Sequence, residues 1–152
     1  MATFRDNPYG AFNFLVTLGG SQGDGSEGTI VGGFSDVSGL GFEVSYSDYR
    51  NGNEKVNTVR HVPNTFKPDE ITLKRGLVGS DDLFVWLKTV REGTADPRTV
   101  TITLLDEESK PVWTWRFRNA FPVNYRVTPL DASSSDIAVE ELTLTFDSMD
   151  IE

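Results

Sequence analysis

The sequence has no cysteine, one histidine and two methionines in 152 residues. Without thiols there is no disulfide framework, no thiolate nucleophile and no thiolate metal site. The lack also suits a reducing cytoplasm. A single imidazole, His61, falls short of the several His or Cys ligands that zinc takes. No Gly-x-Ser-x-Gly string marks a nucleophile, so Ser-His-Asp chemistry has no place to start. Basic residues are scarce: 14 Lys and Arg stand against 23 Asp and Glu, a net charge of −9. So acidic a chain lacks the basic patch on which phosphate backbones and anionic lipids depend, and no stable nucleic-acid or membrane binding is expected. No apolar run approaches the roughly 18 residues of a spanning helix. The opening MATFRDNPYGAF lacks the basic region and apolar core of a signal peptide. The expectation is synthesis in the cytoplasm, with any exit by lysis or as part of a particle.

What is present is alternation with a period of two, the mark of half-buried strands. Phe12, Phe14, Val16 and Leu18 share one face of a first strand. A second extended stretch covers about 30–37, with Phe34 and Val37. Phe42, Val44 and Tyr46 alternate with polar residues up to Arg50-Asn51-Gly52, a strong hairpin turn signal. The return limb carries Val56, Thr58, Arg60 and Val62 and is expected to end at Pro63. Further strands are expected at 71–78, 99–105, 112–118 and 123–127, with a long last strand holding Leu142, Leu144 and Phe146. Trp113, Trp115 and Phe117 are expected on one core face. One helix is expected at about 80–92, with Ser80 as N-cap, Asp81 and Asp82 at the positive end of the dipole, and Gly93 just past its end. Its apolar stripe is Leu83, Phe84, Trp86, Leu87 and Val90. Residues 19–29 and 129–136 read as loops. The fold class is mainly β: a β-barrel or sandwich of antiparallel strands with one flanking α-helix and a long protruding hairpin.

Several strings mimic chemistry and fail on context. Gly23-x-Gly25-x-x-Gly28 spells a dinucleotide fingerprint, but an extended segment follows where a phosphate-binding helix is needed. Asp24 and Glu27 lack the spacing of a calcium loop. The carboxylate groups Asp69/Glu70, Asp106/Glu107/Glu108 and Glu140/Glu141 read as solvated charge. The Trp113–Arg118 run could stack single-stranded bases, but a core strand explains it more simply. No catalytic, metal or cofactor site is expected.

The unusual feature is the hairpin from Glu43 to Val62. It is long, and isolated hairpins are marginal in water. Its edges invite pairing with another chain. Phe4, Pro8 and Tyr9 at the start pose the same question. Both segments suggest a subunit that completes itself in an assembly.

The sequence resembles the tail-tube family of contractile phage tails and, more closely, the inner-tube proteins of phage-like extracellular injection systems. The resemblance rests on Asn7-Pro8-Tyr9 with Phe12-x-Phe14-x-Val16, Gly33-Phe34-Ser35-Asp36-Val37-Ser38-Gly39-Leu40, and Tyr49-Arg50-Asn51-Gly52. Val59-Arg60, Ile71-Thr72-Leu73-Lys74-Arg75-Gly76 leading into Leu83–Leu87, and the strand Leu142–Asp147 complete it. The motifs run in order over nearly the whole chain. The resemblance implies a single tail-tube domain over 1–152, hexameric rings stacked into a rigid tube, and no enzymatic activity or cofactor. The implied partners are further copies, a contractile sheath, baseplate, spike and cap proteins, and protein cargo or DNA in the lumen. Carried over, subunit and ring contacts fall on Phe4, Pro8, Tyr9, Phe42, Val44, Tyr46, Tyr49, Arg50, Asn51, Gly52, Val56, Val59, Arg60 and His61. Six copies at −9 would carry −54 per ring, and part of that charge is expected to line the lumen. Two alternatives stand beside this: a related secreted ring protein of the type VI secretion kind that carries effectors, over which the Gly33–Leu40 and Tyr49–Gly52 strings favour the phage-like branch, and a monomeric barrel that binds a small molecule, which would leave the long polar hairpin unexplained.

Overall fold

The computed structural model describes residues 5–19, 30–56, 58–94 and 96–152. Phe4 and the Gly23–Gly28 string lie outside the described residues. The elements in chain order are β1 Phe14–Leu18, β2 Ile30–Gly32, β3 Asp36–Ser38, β4 Phe42–Tyr49, β5 Arg60–Pro68 and β6 Ile71–Gly76. After these come α1 Asp82–Arg91, β7 Arg98–Leu105, β8 Pro111–Val127, β9 Val139–Thr145 and β10 Ser148–Ile151. The mainly antiparallel β class with one helix and a separate hairpin is observed.

Eight strands form one sheet in the order β2-β1-β7-β8-β9-β6-β3, with β10 on β8. The 17-residue β8 is its spine. The two expected strands at 112–118 and 123–127 are this one strand. Its first half pairs with β7 and β10, its second with β9. Between the halves Asn119 takes φ +54, a left-handed conformation that Asn tolerates better than most residues. The Asn119 amide donates to the Asp147 carboxylate at 3.1 Å, and the Asp147 N–H to the Arg118 carbonyl at 3.0 Å. Register shifts flank the corner at Arg98/Val100 and Pro122/Asn124. Bulges of this kind bend a strand and raise its twist, so the sheet curls around its apolar face.

That face is the core. Val16 and Leu18, Ile71 and Leu73, Val100 and Ile102, Phe117, and Leu142, Leu144 and Phe146 are all buried in it. The period-two alternation foretold nearly all of them, because alternate residues of one strand face one side. Helix α1 closes the open side with Leu83 and Trp86, and the Trp86 indole N–H donates to the Asp96 carbonyl at 2.9 Å.

Four details differ from expectation. The helix begins at Asp82, and its N-cap, Asp81, makes no side-chain capping bond. Phe84 is exposed because only the 83/86 side of the stripe meets the sheet. Trp113 is 39% exposed while Val112, the extra residue where the register slips between Leu104 and Leu105, is buried, so the aromatic core face reduces to Phe117 with Trp115 against it. Phe12 lies before β1 and is exposed.

Candidate assembly surface

Strands β4 and β5 form a two-stranded sheet of their own, joined to no other strand among the described residues. The expected stop at Pro63 does not occur: β5 runs through it to Pro68. A proline is tolerated there because a two-stranded ribbon has free edges, and a register shift between Val44 and Tyr46 sits opposite. The ribbon is therefore Phe42–Pro68, longer than the expected 43–62.

Opposed residues of an antiparallel pair share a face. Phe42 faces Pro68, Val44 faces Phe66, and Tyr46 faces Pro63. These six make one apolar face. The Phe42 and Phe66 rings lie 5.1 Å apart, and His61 meets Tyr46 edge-on at 4.7 Å. His61 Nδ1–H donates to Asp48 Oδ1 at 2.8 Å on the exposed surface. Phe42, Val44, Tyr46 and Phe66 are all exposed. The other face presents Glu43, Ser47 and Tyr49 opposite Lys67, Val62 and Arg60. Pro63, Phe66 and Pro68 escaped sequence reading because Pro63 looked like a stop. The alternation of Phe66 with Pro68 was the available signal.

At the tip, the Asn51 amide donates to Glu54 Oε1 at 3.3 Å and the Arg50 guanidinium to the Glu54 carbonyl at 3.3 Å. Arg60 pairs with Glu54 at 3.0 Å. These bonds order the turn and leave Tyr49, Val56 and Val59 exposed. At the base, Gly39 has φ +83, and a Cβ there would lie 1.9 Å from the Glu70 carbonyl oxygen. Only glycine allows this approach between the two chain ends that enter and leave the ribbon.

The N-terminal segment lies on its own subunit. The Arg5 guanidinium donates to both Glu107 carboxylate oxygens at 3.1 Å and sits 3.8 Å over the Tyr9 ring. The Asn13 amide donates to the Asp106 carbonyl at 3.2 Å. Pro8 is exposed and Tyr9 half-buried beside this clamp.

The solvent faces of the sheet are balanced in charge. Asp36, Lys74, Glu141 and Arg126 are directly opposed across β3, β6, β9 and β8, alternating in sign. On β8 and β10, Arg116 pairs with Glu152 at 2.7 Å and Arg118 with Asp150 at 3.0 Å. Thr17, Thr101, Thr103 and Thr114 fill the same face.

One carboxylate read as solvated is not. Glu140 faces inward in phase with Leu142 and Leu144, directly opposite Arg75 on β6. The side chains of Glu140 and Arg75 are 2% and 7% exposed. Arg75 hydrogen-bonds both Glu140 and Asp82, and the Tyr125 hydroxyl donates to Glu140 Oε2 at 2.7 Å. Three strands and the helix meet at this network. Burial opposes the Asp82 charge, but hydrogen bonds from Arg75 outweigh it and hold the carboxyl below its ordinary range. Burial, reinforced by Glu140, pushes the Tyr125 phenol up to about 12.

A family profile described as the T4-like virus tail tube protein gp19 matches residues 10–150. The chain belongs to the T4-like tail tube family. A chain in the six-fold-symmetrised baseplate of the anti-feeding prophage superposes with a TM-score of 0.85 at 26% identity, covering 97% of both chains. A chain in the extended sheath-tube complex of the extracellular contractile injection system PVC gives 0.81 at 29%, covering 97% of this chain and 93% of that one. Hcp1 from Flavobacterium johnsoniae gives 0.56 at 14%, covering 91% and 93%, a likeness of fold alone. Curated proteins yield no match. This tail tube protein thus has similar structures among contractile injection particles, and its fold is shared more distantly with Hcp1.

Proposed function

We propose that this tail tube protein forms six-membered rings that stack into a rigid hollow tube, which a contracting sheath drives through a target envelope. The single observation that carries this reading is the free-standing ribbon Phe42–Pro68 with its exposed apolar face. Such a ribbon is marginal alone and gains stability when packed on a neighbour. The similar chains support the same reading, since they come from a six-fold baseplate, a sheath-tube complex and a tube-terminating cap. The partners in this reading are further copies, the sheath, baseplate and spike proteins, and a cap. Protein cargo or DNA passes through the bore. The whole chain acts as one domain, made in the cytoplasm, with a structural and not a catalytic role. Subunit and ring contacts fall on the ribbon from Phe42 to His61, together with Pro8 and Tyr9. The packed interior, filled by Trp86, Phe117 and Phe146, favours this over a ligand-binding barrel.

Negative-stain electron microscopy of the purified protein, with light scattering for mass, tests it. Sixfold rings or tubes are expected. A monomer that stays monomeric at high concentration and in the presence of baseplate seeds would sink the reading.

A further inference from the structure

Asn51-Gly52 is the chain's only Asn-Gly pair; the other seven asparagines precede Pro, Phe, Glu, Thr, Ala or Tyr. Asparagine is among the chemically labile residues. Before glycine its carboxamide is open to the next backbone nitrogen with least hindrance, because glycine has no Cβ. The surroundings of Gly52 fit such an attack. A Cβ built there would meet nothing within 4 Å. Gly52 is exposed, and its N–H has no acceptor among the described residues.

The Asn51 carboxamide, by contrast, is held at both ends. The Tyr49 hydroxyl donates to Oδ1, and Nδ2 donates to Glu54 Oε1 at 3.3 Å. The same Glu54 oxygen lies 3.0 Å from the Arg60 guanidinium, so the carboxylate that grips Asn51 is itself fixed from β5. The Glu54 N–H closes the turn on the Asn51 carbonyl at 3.2 Å. Asn51 and Glu54 are half-buried while Arg50, Gly52, Asn53 and Lys55 around them are exposed. Turn formation by Asn-Gly rests on its backbone preferences and does not call for a clamp on the carboxamide.

We propose that Asn51-Gly52 is a latent self-modification site, a succinimide-forming pair that Tyr49 and Glu54 hold out of reaction. In the step itself the Gly52 nitrogen gives its proton to solvent and bonds to Asn51 Cγ. The Cγ–Nδ2 bond breaks, and Nδ2 takes a proton from solvent and leaves as ammonia. Water then opens the five-membered ring at either carbonyl, which leaves an aspartyl or an isoaspartyl linkage. One water is consumed, one ammonia is released, and nothing is oxidised or reduced. Ring closure must break the Nδ2 bond to Glu54. It also needs Cγ placed against the Gly52 nitrogen, and a misplacement of ~1 Å can slow such a step by about 100-fold. The change runs one way. The carboxylate formed at position 51 cannot donate to Glu54 and stands beside it as a like charge. Over Phe42–Pro68 four cations (Arg50, Lys55, Arg60, Lys67) outnumber three anions (Glu43, Asp48, Glu54), a net of +1, so conversion brings the ribbon to zero.

The test reads covalent chemistry on the purified whole chain and does not depend on ring formation. Samples are held at mildly alkaline pH, then followed by peptide mass spectrometry for amide-to-acid conversion and by isoaspartate detection. Wild type is expected to convert slowly at position 51. Tyr49→Phe with Glu54→Ala is expected to convert there roughly tenfold faster, with Asn53 and Asn64 unchanged. Adding Gly52→Ala to that double variant is expected to return conversion to the wild-type level or below. Arg50→Ala removes a bond to the Glu54 carbonyl without touching the carboxamide, and it is expected to stay near the wild-type rate, which separates the clamp from general loosening of the tip. A wild type that converts as fast as the double variant, or a double variant whose conversion is spread evenly over its asparagines, would overturn the proposal.

Discussion

Arg75 is the residue on which the helix, β6 and β9 converge. Its removal strands Glu140 in the interior without a countercharge, and broken buried pairs cost about 3–5 kcal/mol. Arg75→Leu is expected to lose that much in urea unfolding. Replacing both partners, Arg75→Met with Glu140→Leu, is expected to lose distinctly less, because no orphaned charge remains. The same network sets the pH limits of stability. The Asp82 carboxyl is depressed in the fold, so its contribution is complete above the unfolded value of 3.8 and fades as pH falls below it. Tyr125 is raised from 10.0 to about 12, so its contribution is complete below pH 10 and fades between 10 and 12. Urea melts across pH should show Asp82→Asn with a shallower acid limb and Tyr125→Phe with a shallower alkaline one. The inward face of Glu140 was legible, since it is in phase with Leu142 and Leu144, as Arg75 is with Ile71 and Leu73. What the sequence could not show is that the two meet across the ladder with Asp82 and Tyr125 as further partners.

At the scale of elements, α1 was plain in the sequence. An apolar stripe at helical spacing lies between acidic and basic ends, and Gly93 follows with φ +86 as an ordinary C-terminal stop. What the stripe could not show was how much of it would be covered. A helix that plugs one opening buries a narrow line, here Leu83 and Trp86, and leaves Phe84 and Val85 to solvent. Trp86→Ala is expected to cost about 3–5 kcal/mol, as for other buried aromatics, measured by thermal or urea unfolding. Phe84→Ala is expected to cost far less. The ribbon was legible as a hairpin from Asn51-Gly52, but its far limit was not. Proline usually ends a strand because it cannot donate to a ladder. A two-stranded ribbon has edges that need no donor, and β5 continues past Pro63. Gly39→Ala is expected to destabilise by at least ~1 kcal/mol, since φ is positive and the Glu70 carbonyl fills the space a Cβ would take.

At the scale of the molecule, deletion of 42–68 with a short Gly-rich closure is expected to leave the body folded by circular dichroism and to abolish rings and tubes. The core residues come from other elements, so the body does not depend on the ribbon for its stability. Charge is distributed unevenly at this scale. The solvent faces of the sheet are balanced by Asp36, Lys74, Glu141 and Arg126 and by the arginine pairs of β8 and β10. An acidic lumen, expected from the net charge, would have to draw its sign from connecting loops such as 106–108 and 128–138.

The sequence by itself determined the β class, the single helix, most of the core and the family, because alternation, helical spacing and ordered motifs are local features of the chain. Only the tertiary structure decided that Glu140 meets Arg75, that β8 is one bent strand, that Trp113 is left exposed, and that β5 runs on through Pro63. Those facts depend on register and on corners between distant strands, where a shift of one residue turns a side chain from the core to the surface.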